Sequence, residues 1–214
     1  MLNLPLIIQL PIFFFSVIIH EYAHGWTAYR FGDDTAKVTG RLTLNPLPHI
    51  DPIGTVVLPL FLVLFRSPFI IGWAKPVPVI PYRLRDPRRD LIKVSASGVL
   101  ANFSLAIFAA LLARIIISFA IENLLFNRII LNMLLYCIFI NLLLGVFNLV
   151  PVPPLDGSKI VAGILPPDLS IKYESISSYG FIIILVLIYS GLLWGIIIPI
   201  VRFLFSVLLI GVGT

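Results

Sequence analysis

The stretch VIIHEYAHGW, Val17 to Trp26, sets a carboxylate and two imidazoles inside a run otherwise built for lipid. Upstream lies LNLPLIIQLPIFFFS, Leu2 to Ser16, without one charge. The rest of the chain shares this character. Of 214 residues, 59% are hydrophobic and 12% charged, against roughly 45–50% and 25% in soluble domains. Mean hydropathy is +1.07. These values exclude a soluble globular domain and give an integral membrane protein with room for about six spans of about 20 residues. The net charge of +5 is read as loop topology, with no nucleic-acid partner implied. The single cysteine, Cys137, lies in an apolar run and reads as core filler. No basic leader precedes the first apolar run, so it is expected to be a retained span.

Ionisable groups within a span are costly and mark a task or a partner. His20-Glu21-Tyr22-Ala23-His24 has the spacing H-E-x-x-H. Helix positions i and i+4 share a face. His20 and His24 can therefore offer two nitrogens to one Zn2+, at about 2.0–2.1 Å each. Glu21 is placed to take a proton from water that such an ion makes acidic. The spacing is a sequence signature of zinc metalloproteases.

A catalytic zinc site usually holds three protein ligands. His49 and the carboxylates are candidates for the third. Asp33, Asp34, Asp86, Asp90, Glu122, Asp168 and Glu174 stand in polar loops and are expected to face water. Asp156 differs, because it follows an uncharged span within FNLVPVPPLDGSKI, Phe147 to Ile160. Pro151, Pro153 and Pro154 stop a regular helix there. Backbone freed at membrane depth needs protein partners or a water-lined cavity. Asp156 in that setting reads as a ligand.

Apolar segments fall at 4–31, 52–72, 94–120, 129–150, 176–190 and 192–212. The alternation in KVTGRLTLNP, Lys37 to Pro46, predicts a short strand pair. Arg66, Lys75, Arg83, Arg85, Arg88, Arg89 and Lys93 crowd one loop, which places it in the cytoplasm. The preceding loop, with Arg30, Lys37 and Arg41, is basic too. Segment 52–72 between them, broken by Pro59 and Pro68, then reads as a re-entrant hairpin, with a full span of 20 apolar residues as the alternative. The remaining segments run inward (4–31), outward (94–120), inward (129–150), outward (176–190) and inward (192–212). Arg114 is expected to snorkel to the outer interface. The fold class expected is an all-α polytopic membrane protein. It has about five to six transmembrane helices, a short re-entrant β-hairpin or loop near the site, and a single domain over 1–214. Its core is 4–165, and 176–212 forms a C-terminal helical hairpin.

HEYAH, SASGVLANFSLA (Ser95–Ala106) and FNLVPVPPLDGSKI, in that order, resemble the site-2 protease family of intramembrane zinc metalloproteases. GRLTLNPLPHIDPIGT and GWAKPVPV are similar to its short members without PDZ or CBS domains. Val99 stands where the family's middle motif usually has proline. The resemblance implies His20, His24 and Asp156 as ligands of one Zn2+ per chain and Glu21 as general base. It implies Asn148 as a catalytic and substrate-binding amide, which fits the stabilisation of an oxyanion by a side-chain donor. Asn45 would touch substrate from the strand-like loop, and Asn102 would serve helix packing. The expected activity is hydrolysis of peptide bonds within transmembrane segments of membrane-protein substrates. The expected place is the cell membrane, in contact with lipid, with the site toward the cytoplasm. A metal or proton transporter using the same cluster is the alternative, and an inactive zinc-bound scaffold is a third reading.

Overall fold

The computed structural model describes residues 4–65, 72–118 and 124–210. Nine α-helices are described: α1 Leu6–Arg30, α2 Thr35–Val38, α3 Leu58–Leu64, α4 Pro87–Ser118, α5 Leu124–Asn148, α6 Asp156–Ile164, α7 Pro167–Glu174, α8 Ser177–Tyr189 and α9 Leu192–Leu209. A π-helical turn, Pro52–Val57, leads into α3. The all-α expectation therefore holds among the described residues.

Four stretches are long and apolar enough to cross a bilayer: Leu6–Arg30, Pro87–Ser118, Arg128–Asn148 and Leu192–Leu209. A fifth is reached only if α7 and α8, bent by 61° at their junction, count as one span. The expected five to six is thus four or five. Helix α8 alone has 13 residues, about 20 Å at 1.5 Å per residue, against a hydrocarbon core of about 30 Å.

Contacts fix the helix directions. On α1 and α4, His20 pairs with Asn102 and His24 with Val94, so the two run antiparallel. Asn102 also pairs with Asn141, tying α5 to the same level. At the far end of α4, Arg114 donates to the carbonyls of Leu208 and Ile210, closing the C-terminus of α9. Phe205 stacks edge-on with Phe139 at 6.5 Å. Helix α9 therefore runs parallel to α4 and antiparallel to α1 and α5. The direction expected for 192–212 is the opposite, and the link into it is α8. It begins against the Pro151–Pro154 bend, where Gly180 abuts the Pro153 carbonyl, and it ends at the start of α9. The core lies between α4, α5 and α9, with Ala106, Ala109, Ile138, Leu142, Ile197 and Val201 buried.

Between α1 and α4 the chain is loop and short helix. The strand pair expected over 37–46 is replaced by α2 and turns, with no strand among the described residues. Asp33 is the physical reason. Its carboxylate accepts from the Thr35 amide and hydroxyl, starting a helical turn. Gly40, at φ 68°, then reverses the chain. Residues 66–71 of the expected hairpin lie outside the described residues. Its ends meet: Trp73 N donates to Gly54 O at 3.1 Å and Lys75 N to His49 O at 2.9 Å. Two of the carboxylates expected in water are buried. Asp33 is 0% exposed and accepts from Ile80 N, while Asp90, 4% exposed, is bonded to Asp86 N and Lys93. Glu122 lies outside the described residues.

Candidate metal centre

His20 and His24 lie one turn apart on α1, and both are buried. Their Nε2 atoms stand 3.0 Å from each other, and each is 3.0 Å from Asp156 Oδ2. Asp156 is the first residue of α6 and is 5% exposed. The turn that delivers it needs Gly157, since a Cβ there would sit 2.2 Å from the Leu149 carbonyl oxygen. Across the cluster, Gly98 of α4 makes room for the rings. A Cβ at Gly98 would meet both imidazoles at 2.5–2.7 Å.

The donor set has the chemistry of a metal site. His24 Nδ1 faces the Val94 carbonyl at 2.7 Å, and His20 Nδ1 faces Asn102 Oδ1 at 2.6 Å. Both partners only accept, so each Nδ1 carries a hydrogen, and each neutral ring points its Nε2 lone pair inward. Two lone pairs and a carboxylate oxygen then converge within 3.0 Å, where a cation relieves their repulsion. The spacing is close to the edge of a tetrahedron with arms of 2.0–2.1 Å, about 3.3 Å. Among the described residues, these three form the one group of histidine, cysteine and acidic side chains so arranged. Lys159 Nζ stands 3.5 Å from Asp156 Oδ1, a cation beside the carboxylate on the same helix.

Glu21 and Asn148 sit beside the cluster. A cavity of about 230 Å³ is lined by His20, Glu21, His24, Asn148, Asp156 and Lys159, with Pro76, Val77 and Val79 closing one wall. Glu21 Oε2 accepts the Val77 amide at 2.7 Å. Asn148, the last residue of α5, donates from Nδ2 to Leu144 O at 3.0 Å. The same two side chains line a second cavity of about 330 Å³ between α1, α5 and the Gly54–Trp73 pair. Asn45 is not brought to the cluster; it is exposed and caps a turn through Leu47 N. His49 is also apart, buried with Nε2 on Thr43 O at 2.9 Å, so the third ligand position falls to Asp156. Sequence reading missed two neighbours of the site. Val77 lies within GWAKPVPV, but no role is read for it. Asn102 gave a partial signal, since it stands four residues after Gly98 and so shares its helix face.

The family model of peptidase family M50 matches residues 9–188, which take in the whole cluster. The chain belongs to peptidase family M50. Over 178 residues, this M50 chain is 40% identical to "Putative zinc metalloprotease YwhC" of Bacillus subtilis, covering 83% of the chain and 78% of that protein. It is 29% identical over 191 residues to "Putative zinc metalloprotease Rip2" of Mycobacterium tuberculosis, covering 89% and 70%. The Rip2 of Mycolicibacterium smegmatis is 29% identical over 173 residues, covering 81% of the chain and 63% of that protein. No solved structure matches the chain. Family and geometry agree with the resemblance to site-2 proteases. The chain is a membrane-associated zinc metalloprotease, and the buried His20, His24 and Asp156 group could hold its Zn2+.

Proposed function

We propose that the chain is an intramembrane endopeptidase that cuts transmembrane segments of other membrane proteins. The observation that carries this reading is the position of the cluster. His20 and His24 lie within one apolar spanning helix and meet Asp156 in a cavity that Glu21 shares. Polar groups converging at one depth favour hydrolysis over a transport path.

Bound zinc supplies a Lewis acid that brings water's proton within reach of a carboxylate near neutrality. His20, His24 and Asp156 hold the metal. Glu21 takes the proton; its Oε2 is steadied by the Val77 amide, which leaves Oε1 for water. Asn148 turns its amide to the developing oxyanion, a donor role that suits its place on both cavities. A helical substrate hides its carbonyls in i→i−4 bonds and must unwind locally before attack. Glycine, proline or polar residues in the substrate span therefore favour cleavage.

Four crossings suit the helix directions: α1, α4, α5 and α9. The site-bearing end is the cytoplasmic one, because Arg83, Arg85, Arg88, Arg89 and Lys93 gather where α4 begins, beside the His24 partner Val94. The paired ends of segment 52–72 support a re-entrant loop that leaves and rejoins that side. Glu21→Gln tests the reading. The variant keeps its zinc and loses about 10²–10⁴-fold in cleavage of a co-expressed substrate. Cleavage at the wild-type rate would remove Glu21 as the base.

A further inference from the structure

The polar groups behind His20 form a closed set. Asn102, on α4, is 0% exposed. Its Oδ1 takes the His20 Nδ1–H at 2.6 Å. Its Nδ2 donates to Asn141 Oδ1 at 2.8 Å and to Ser16 O at 3.2 Å. Asn141, on α5 and also 0% exposed, donates from Nδ2 to Ser16 Oγ at 2.8 Å and to Cys137 O at 2.9 Å. Ser16 in turn donates to Ile12 O at 2.8 Å. Every amide hydrogen of both asparagines is used.

This arrangement leaves the Asn102 amide one orientation. Its NH2 faces two acceptors, so its oxygen must face His20. An oxygen there accepts and cannot donate, which keeps the hydrogen on Nδ1 and the lone pair on Nε2. Buried polar groups cost stability unless paired, and a fully paired network is rigid. The other metal-facing ring differs, because His24 leans on the main-chain carbonyl of Val94 and needs no side chain. The His20 arm alone depends on residues that substitution can change.

We propose that Asn102, locked by Asn141 and Ser16, is a positioning residue for zinc: it sets the tautomer and ring plane of His20. The inference rests on the cluster as the zinc site and not on the nature of the peptide substrate. Outer partners of ligand histidines typically contribute 10–100-fold in metal affinity. Asn102 touches neither substrate nor metal, so its effect reaches catalysis only through His20.

The test measures zinc affinity of the full chain in detergent by competition with a chromophoric chelator. Asn102→Leu, close in volume, binds zinc about 10–100-fold more weakly. Asn102→Asp keeps an acceptor on His20 Nδ1 and retains affinity well above that of Asn102→Leu. Ring 15N shifts of the zinc-free protein show the Nδ1–H tautomer of His20 in wild type and Asn102→Asp and its loss in Asn102→Leu. Unchanged affinity in Asn102→Leu overturns the proposal. So does an Asp variant as weak as the Leu one, since packing alone would then explain both. Should Asn102→Leu fail to fold, Asn141→Leu serves: it removes the lock on Nδ2, and zinc affinity falls, whereas wild-type affinity again overturns the idea. No peptide is cleaved in these measurements, so they stand whatever becomes of the intramembrane reading.

Discussion

Gly98→Ala places one methyl group against both metal-facing rings. An ideal Cβ would lie 2.5 Å from His24 Cε1 and Nε2 and 2.7 Å from His20 Cε1, where ordinary contact begins at 3.4 Å. The nearer ring must retreat by about 0.9 Å, yet both rings are pinned at their Nδ1 atoms. Overpacking of this kind costs about 1–3 kcal/mol, less than the 5–15 kcal/mol that holds a typical fold. The variant therefore folds. Metal sites tolerate ligand shifts of about 0.2 Å, so zinc affinity falls at least about tenfold. Cleavage of a reconstituted transmembrane substrate at saturating zinc falls by roughly 10²-fold, as expected of a 1 Å misplacement. Gly195→Ala on α9 is the control, because nothing lies within 4 Å of its Cβ. It keeps zinc and activity and gains about 0.5–1 kcal/mol from helix propensity. A folded Gly98→Ala protein with wild-type zinc affinity and cleavage would refute the assigned geometry.

Two further outcomes follow from the fold. Asp156→Ala removes the ligand that joins α6 to α1, so zinc content, measured by atomic emission on purified protein, drops from roughly one per chain toward none; full retention would assign the third ligand elsewhere. Reporter tags at the N-terminus and after α9 reach the same side of the membrane, opposite a tag between Arg85 and Arg89; tags at the two termini on opposite sides would mean that α8 crosses.

The three members of the candidate metal group were legible because each carries a local signal. His20 and His24 repeat at the helical period, and Asp156 interrupts a proline-rich bend after an uncharged run. The role of Asn102 was not legible, since its partner His20 stands 82 residues away and amide side chains serve helix packing equally well. Hydropathy reported that 176–190 is apolar but carried no direction, so the run of α9 alongside α4 was not legible. The alternation in KVTGRLTLNP yielded to a carboxylate two residues before Thr35, a competition that periodicity does not register. The burial of Asp33 was hidden likewise, because its partner Ile80 N stands 47 residues away.

The metal shell draws on two pieces of chain 136 residues apart. Neither half is dangerous by itself. A ribosome that has delivered α1 into the bilayer has supplied two imidazoles and a base, but nothing able to cut. Competence arrives only once the segment beyond α5 has been made and folded back. A fragment from a stalled or truncated message would then lie inert in the bilayer, with only part of the metal group in place.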